Sequence, residues 1–315
     1  MKHGILSGLF WAFQTVIIGI VLQQSVFIST PKAIMLASFI STFFHDLFSS
    51  LIMHILSAVK GTYPEAMQSL KSKNGKYLLL GGLIGGPIGM GGYFLAINYL
   101  GPSIGALSSA IYPAIGAFLA YIFLKQDLSL HRWLFLIVTL TGVFLLSFTP
   151  ELNVTNFWLG ILGAFMCSFG WGLEGVIVNK CLNDKVSHET CLMIRQTVSF
   201  IILGAVVLPI IGGYELIRQI DKPSIFIMLF FAGLFATLSD LYYYKAIGKL
   251  GVSKAMALNI TYVPFATLFT IVFLRDYSLL NVYTLSLIVI VITSSLLTAI
   301  DFKHRHEDKI KIKKV

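Results

Sequence analysis

Charge is what this sequence has least of. Of its 315 residues only 12% are Asp, Glu, Lys or Arg, about half of the ~25% that a soluble domain carries. With 57% hydrophobic residues and a mean hydropathy of +0.84, a soluble fold of this length has too little polar surface to cover it. Cysteine is scarce too. Cys167, Cys181 and Cys191 have neither an even count nor metal-ligand spacing, which argues against a disulfide framework and against a zinc site. The seven histidines show no ligand pair; His304 and His306 in the tail are at most an opportunistic metal site. No metal and no cofactor is expected. Nor is there a phosphate-binding loop: "GGLIGGPIGMGG" (81–92) is glycine-rich but lies inside an apolar run rather than between strand and helix, which argues against ATP-driven chemistry. Short alternating strands, the mark of a membrane β-barrel, are also missing.

What is present is a series of apolar runs near the ~20 residues that span a bilayer. They cover approximately 4–25, 33–58, 77–99, 103–124, 132–149, 157–180, 190–212, 224–247, 252–274 and 279–300. The expected fold is therefore an all-α polytopic membrane protein with ten transmembrane helices. The first run, from Gly4 to about Val21, is longer than a signal-peptide core and is read as a retained span. The breaks are short except 59–76, which is polar and lysine-rich. Placing both termini in the cytoplasm puts most of the 23 lysines and arginines inside, leaving Lys32, Arg218, Lys222 and Arg275 outside and Arg195 within a span. The net charge of +9 is thus the positive-inside bias of a plasma-membrane protein, and no nucleic-acid partner is implied.

The chain also repeats. At a shift of 150, Tyr93 matches Tyr243, Leu100-Gly101 matches Leu250-Gly251, Ser103 matches Ser253, Tyr112 matches Tyr262, and Phe123-Leu124 matches Phe273-Leu274. At a shift of 160, "WAFQTVI" (11–17) matches "WGLEGVI" (171–177). The loop 59–76 absorbs the difference. Each unit holds five helices, an odd number, so the second enters the membrane inverted. Expected units are 1–150 and 151–301, with a basic cytoplasmic tail at 302–315. Inverted repeats belong to transporters that expose a midplane site alternately to each side.

The paired units, the "FWAF" and "GWGLE" starts and the blocks "YLGPS…YPAIGAFLAYIFLKQD" and "KLGVS…YVPFATLFTIVFLRD" resemble the drug/metabolite transporter superfamily, in its ten-helix EamA-type branch, over residues 4–300. Blocks of this kind end in a Leu-x-Glu-like signature; here they read Leu124-Lys125-Gln126, without the acid, and Leu274-Arg275-Asp276. Within the branch, "FGWGLEGVI", "MIRQTVSF" and "GGPIGMGGYFLAINYLGPS" look most like bacterial choline permeases that feed phosphocholine decoration. The resemblance implies secondary transport of a small organic solute. The narrower one implies a quaternary amine. The first alternative is an exporter of amino acids or other metabolites on the same fold. A membrane enzyme or sensor is a further alternative, but no catalytic cluster or signalling domain is visible.

A quaternary ammonium donates no strong hydrogen bond, so it is held by aromatic faces. Candidates are the matched pairs Trp11 and Trp171, Tyr93 and Tyr243, Tyr112 and Tyr262, with Tyr242 and Tyr244 flanking Tyr243. Packing and interfacial anchoring are the ordinary uses of such residues. Glu174 lies three residues after Trp171, on the same helix face, and its counterpart is Gln14, three after Trp11. A charge near the bilayer centre costs about 2.5–3.5 kcal/mol on insertion scales. Glu174 is therefore a counter-ion for a cationic solute, a proton-coupling site, or the partner of Arg195. Asp46, beside His45 and eight residues before His54, is a candidate relay with His54, or part of a hydrated or interhelical polar set. Asp240 lies nearer the cytoplasmic end of its span, within reach of Lys245 or Lys249. Expected partners are a small, cationic organic solute, protons as coupling ions, and membrane lipids.

Overall fold

The computed structural model describes residues 1–100, 102–126, 129–148 and 156–300, with the side chains of 94, 98 and 102–108 excluded. The basic tail, with His304 and His306, lies outside the described residues. Ten helical segments make up the body: α1 Lys2–Leu22, α2 Pro31–Lys60, α3 Lys73–Leu100, α4 Pro102–Leu124, α5 Leu130–Ser147, α6 Phe157–Asn183, α7 His188–Ile211, α8 Pro223–Leu250, α9 Val252–Phe273 and α10 Val282–Ala299. Among the described residues, nine helices are long and apolar enough to cross a membrane; of α4, Ser109–Leu124 qualifies as a shorter apolar helix. Large apolar side chains such as Phe118, Phe123, Ile137 and Val289 are half or more exposed on the outside, where lipid takes the place of water.

Local chemistry sets the helix ends. Thr30, Asn156, Ser187 and Asn281 each accept, on the side-chain oxygen, a backbone amide of the turn that follows, which is N-capping. The stretch 59–76 is more ordered than its composition suggests. α2 runs to Lys60, Gly61 closes it in the left-handed conformation (φ 67°), and Tyr63–Lys71 forms a short helix with Pro64 in its first turn. That helix is tied to the protein through Glu65, whose carboxylate accepts the Ser187 amide (2.7 Å) and hydroxyl (3.0 Å).

The packing pairs have a regular pattern. The most extensive contacts between helices not consecutive in the chain join α1 to α8 and α9, α6 to α3 and α4, α2 to α8, α7 to α3, α2 to α7, α4 to α9, and α5 to α10. Exchanging α1–α5 with α6–α10 leaves this list unchanged. The two Leu-x signatures agree in backbone as well: Lys125 (φ 52°) and Arg275 (φ 57°), 150 residues apart, are both left-handed. Gln126, where the acid is absent, still performs a structural task. Its Oε1 caps α9 by accepting the Val252 amide (3.0 Å), and its Nε2 donates to Asn179 of α6 (2.9 Å). Asp276 caps the turn that follows it through the Ser278 amide (3.2 Å).

α3 packs closely on two neighbours. Its two glycine rows face different neighbours: Gly81, Gly85 and Gly89 lie against Ile177, Glu174 and Trp171 of α6, while Gly82 and Gly86 lie against Arg195, Val198 and Ser199 of α7. Small residues at four-residue spacing let backbones approach this way. Pro87 lacks an amide hydrogen, and the turn Ile84–Ile88 widens to a π-helix, with the Gly89 amide reaching back to the Ile84 carbonyl. α7 carries a second such turn at Leu203–Val207.

A Cβ on Gly82 would sit 2.9 Å from the Arg195 backbone oxygen, whereas one on Gly19 would meet nothing. Gly82→Ala is therefore expected to cost about 1–3 kcal/mol by overpacking, read as a lower Tm in detergent. Gly19→Ala should leave Tm unchanged or slightly raised.

Candidate functional site

α7 places the only guanidinium of the site at the meeting point of four helices. Arg195 donates to Glu174 of α6 through Nε to Oε1 (2.8 Å) and Nη2 to Oε2 (3.3 Å), a side-on, two-bond pair. Its Nη1 donates to Gln196 Oε1 (2.7 Å) and lies 3.6 Å from Asp46 Oδ1 of α2. Gln196 then donates from Nε2 to Asp240 Oδ2 of α8 (2.8 Å). Tyr244 of α8 donates its hydroxyl to Glu174 Oε1 (3.0 Å). Asp46 also accepts from His45 Nδ1 (2.6 Å) and from the Ser199 hydroxyl. Asp46 is 1% exposed and Glu174 8%, so both depend on these partners for the solvation they have lost. Gly85 lets the Glu174 carboxylate lie directly on the α3 backbone, where a Cβ would collide with it.

Aromatic rings form the facing walls. Trp11 stacks on Tyr262 (ring centroids 4.0 Å apart, 19° between planes) and stands 6.4 Å from Tyr112. Tyr112 meets Trp171 edge to face (6.0 Å, 89°), and Trp171 stacks on Tyr93 (6.1 Å). Two hydrogen bonds fix orientations. Trp171 Nε1 donates to the Gly85 carbonyl (2.9 Å), in the π-helical turn of α3, and Tyr112 donates to Asn259 Oδ1 (2.7 Å). Asn259 in turn donates to Ser7, which pairs with Ser239 (3.3 Å).

These walls enclose a cavity of about 240 Å³, room for about eight waters at ~30 Å³ each. Its lining includes Trp11, Gln14, Tyr93, Tyr112, Trp171, Glu174, Tyr243 and Tyr262, with Asp46, Arg195 and Asp240. A second volume of about 330 Å³ shares Gln14, Thr15, Thr42, His45, Met90 and Tyr93 with it. It continues past Ile18 and Leu22 toward the C-terminal end of α1.

The pattern of the EamA-like transporter family matches residues 3–148 and again residues 158–300. The chain belongs to this family. As an EamA-like transporter it is a multi-pass membrane protein that moves small solutes. It is 30% identical over 192 residues to Protein LicB of Haemophilus influenzae, a match that covers 58% of the chain and 62% of LicB. A solved crystal structure covers 94% of the chain, which in turn covers 96% of that structure, with 13% identity and a TM-score of 0.67; that likeness concerns the fold.

Two expectations for this transporter are corrected. Asp46 and His54 are not joined: His54 bonds to Tyr63 and, through Nε2, to Thr197 (3.1 Å), whereas Asp46 bonds to His45 and Ser199. Asp240 does not pair with a lysine. It turns inward to Gln196, while Lys245 lies over the Tyr242 ring (5.6 Å) and Lys249 meets His3 (3.2 Å). Of the three tyrosines at 242–244, Tyr242 points away from the cavity and stacks on His3 and Phe10. Sequence reasoning passed over Gln196 and Ser199. The signal was available in "RQTVS", where an apolar helix carries four polar residues in five positions.

Removing one partner of a buried ion pair costs about 3–5 kcal/mol, whereas removing both costs much less. Arg195→Gln and Glu174→Gln are each expected to lower thermal stability in detergent. The double variant should recover at least about 1 kcal/mol relative to their sum. Strictly additive losses would show that the pair contributes nothing of its own.

Proposed function

We propose that this EamA-like transporter imports choline or a related quaternary amine across the plasma membrane by alternating access. The carriers of the motion are two inverted five-helix repeats, 1–150 and 151–301, with both termini cytoplasmic. The observation that carries the substrate reading is the composition of the cavity wall. Seven tryptophan and tyrosine rings share it with three carboxylates and a single guanidinium, a set that favours a cation and asks for no hydrogen-bond donor from it. The cavity of about 240 Å³ has room for a solute of a few heavy atoms. The resemblance of "FGWGLEGVI" and "MIRQTVSF" to choline permeases points the same way. The inverted halves are supported by the double family match, by packing pairs that survive exchange of the halves, and by the shared left-handed turn at Lys125 and Arg275. Import is driven by the solute gradient, by the membrane potential or by protons.

Proteoliposomes containing the purified protein should take up labelled choline saturably, in competition with other quaternary amines and not with neutral amino acids. Saturable flux of another solute class without choline flux would refute the assignment. Trp171→Leu removes one ring face and is expected to weaken choline by roughly 2- to 30-fold, the range of a single cation–π contact. A cysteine placed at Lys311 should remain unlabelled by impermeant reagents in intact cells. The background is low, because Cys167, Cys181 and Cys191 are all buried.

A further inference from the structure

We propose that Asp240, and not Glu174, is the carboxylate that meets the positive charge of the solute. This inference rests on the reading of the solute as a cation. It follows from accounting for each carboxylate oxygen in the cavity. An ionised carboxylate offers about four lone-pair sites. On Glu174, Oε1 accepts from Arg195 and Tyr244, Oε2 accepts from Arg195, and the group lies flat on Gly85. On Asp46, Oδ1 accepts from His45 beside Arg195, and Oδ2 accepts from Ser199. Both groups already have a cation or several donors, and a solute cation would compete with Arg195 for them.

Asp240 is different. Its Oδ2 accepts one bond, from the neutral amide of Gln196 (2.8 Å), and among the described residues no donor reaches Oδ1 and no cation contacts the group. It lines the cavity and is only partly buried. The charges lead to the same place. Asp46, Glu174 and Asp240 share the cavity with one guanidinium, which contacts Asp46 and Glu174, and His45 touches Asp46. Asp240 is therefore the carboxylate of the cavity without a cationic partner among the described residues. Tyr243 and Tyr244 follow it by three and four residues on α8, on the same face. Tyr244 is engaged by Glu174, and Tyr243 contributes a ring to the cavity wall next to Asp240. A quaternary ammonium seated there touches the Tyr243 ring and the free carboxylate oxygen together. Gln196 holds Oδ2 through its amide, which leaves Oδ1 without a donor among the described residues.

The test compares choline with its neutral carbon isostere, 3,3-dimethyl-1-butanol, for binding to the purified full-length protein. The wild type should prefer choline. Asp240→Asn and Asp240→Ser should lose roughly tenfold or more in choline affinity while keeping the affinity for the isostere, and Asp240→Glu should retain the preference. Choline binding to Asp240→Asn as tight as to the wild type would overturn the proposal. A wild type that binds the isostere as well as choline, or binds no choline, would instead refute the cation reading beneath it. A measurement on the unaltered protein covers the case in which the neutral variants do not fold. Carbodiimide modification, located by mass spectrometry, should occur at Asp240 and be blocked by choline but not by the isostere. Equal modification with and without choline would reject the assignment.

Discussion

The Glu174–Arg195 ion pair is the constraint on which the rest of the site depends. It joins α6 to α7 at a depth where neither charge can be left alone, since an unpaired buried ion costs several kcal/mol. Every neighbour is shaped to it. Gly85 is bare of a side chain where the carboxylate rests on α3, Tyr244 brings α8 to the same oxygen that accepts Nε, and Asp46 brings α2 within 3.6 Å of the guanidinium. Through Gln196 the set extends to Asp240. One guanidinium thus orders five helices around the cavity, and aromatic rings complete the wall that polar groups leave open.

The two halves of the chain use this frame differently. Trp11 and Trp171 hold matching places in the sequence, as do Tyr262 and Tyr112, yet Trp11 lies flat on Tyr262 while Trp171 meets Tyr112 edge-on. The difference originates in α3. Its π-helical turn frees the Gly85 carbonyl, and the Trp171 indole is anchored there. One face of each indole is covered, that of Trp11 by Tyr262 and that of Trp171 by Tyr93.

The sequence made much of this legible, for reasons that differ by residue. Trp11, Gln14, Trp171 and Glu174 were readable because the repeat aligns them. Arg195 and Asp46 were readable because charge inside an apolar run is costly. The glycine rows of α3 were readable as a close-packing face, though not that the two rows serve different partners, because that depends on where α6 and α7 lie. Partner choice was the general blind spot. Asp240 sits within helical reach of Lys245, so the local reading paired them; only the docking of α7 against α8 reveals Gln196. Likewise the lysine-rich stretch 59–76 concealed a helix, because composition reports exposure and the tie from Glu65 to Ser187 spans 122 residues.

The surplus of carboxylates over guanidinium has an electrical meaning. In the proposed alternating access on a cationic solute, the charges of the wall stay roughly in place while the barrier moves from one side of them to the other, so each crossing carries the net charge of the cavity through the field. A cavity holding a monovalent cation is nearer to neutral than the same cavity empty. At ~2.3 kcal/mol per elementary charge per 100 mV, the membrane potential then acts mainly on the return of the empty carrier and leaves the loaded crossing comparatively untouched. In the proposed cycle, voltage sets how fast the carrier resets rather than how tightly it holds its cargo.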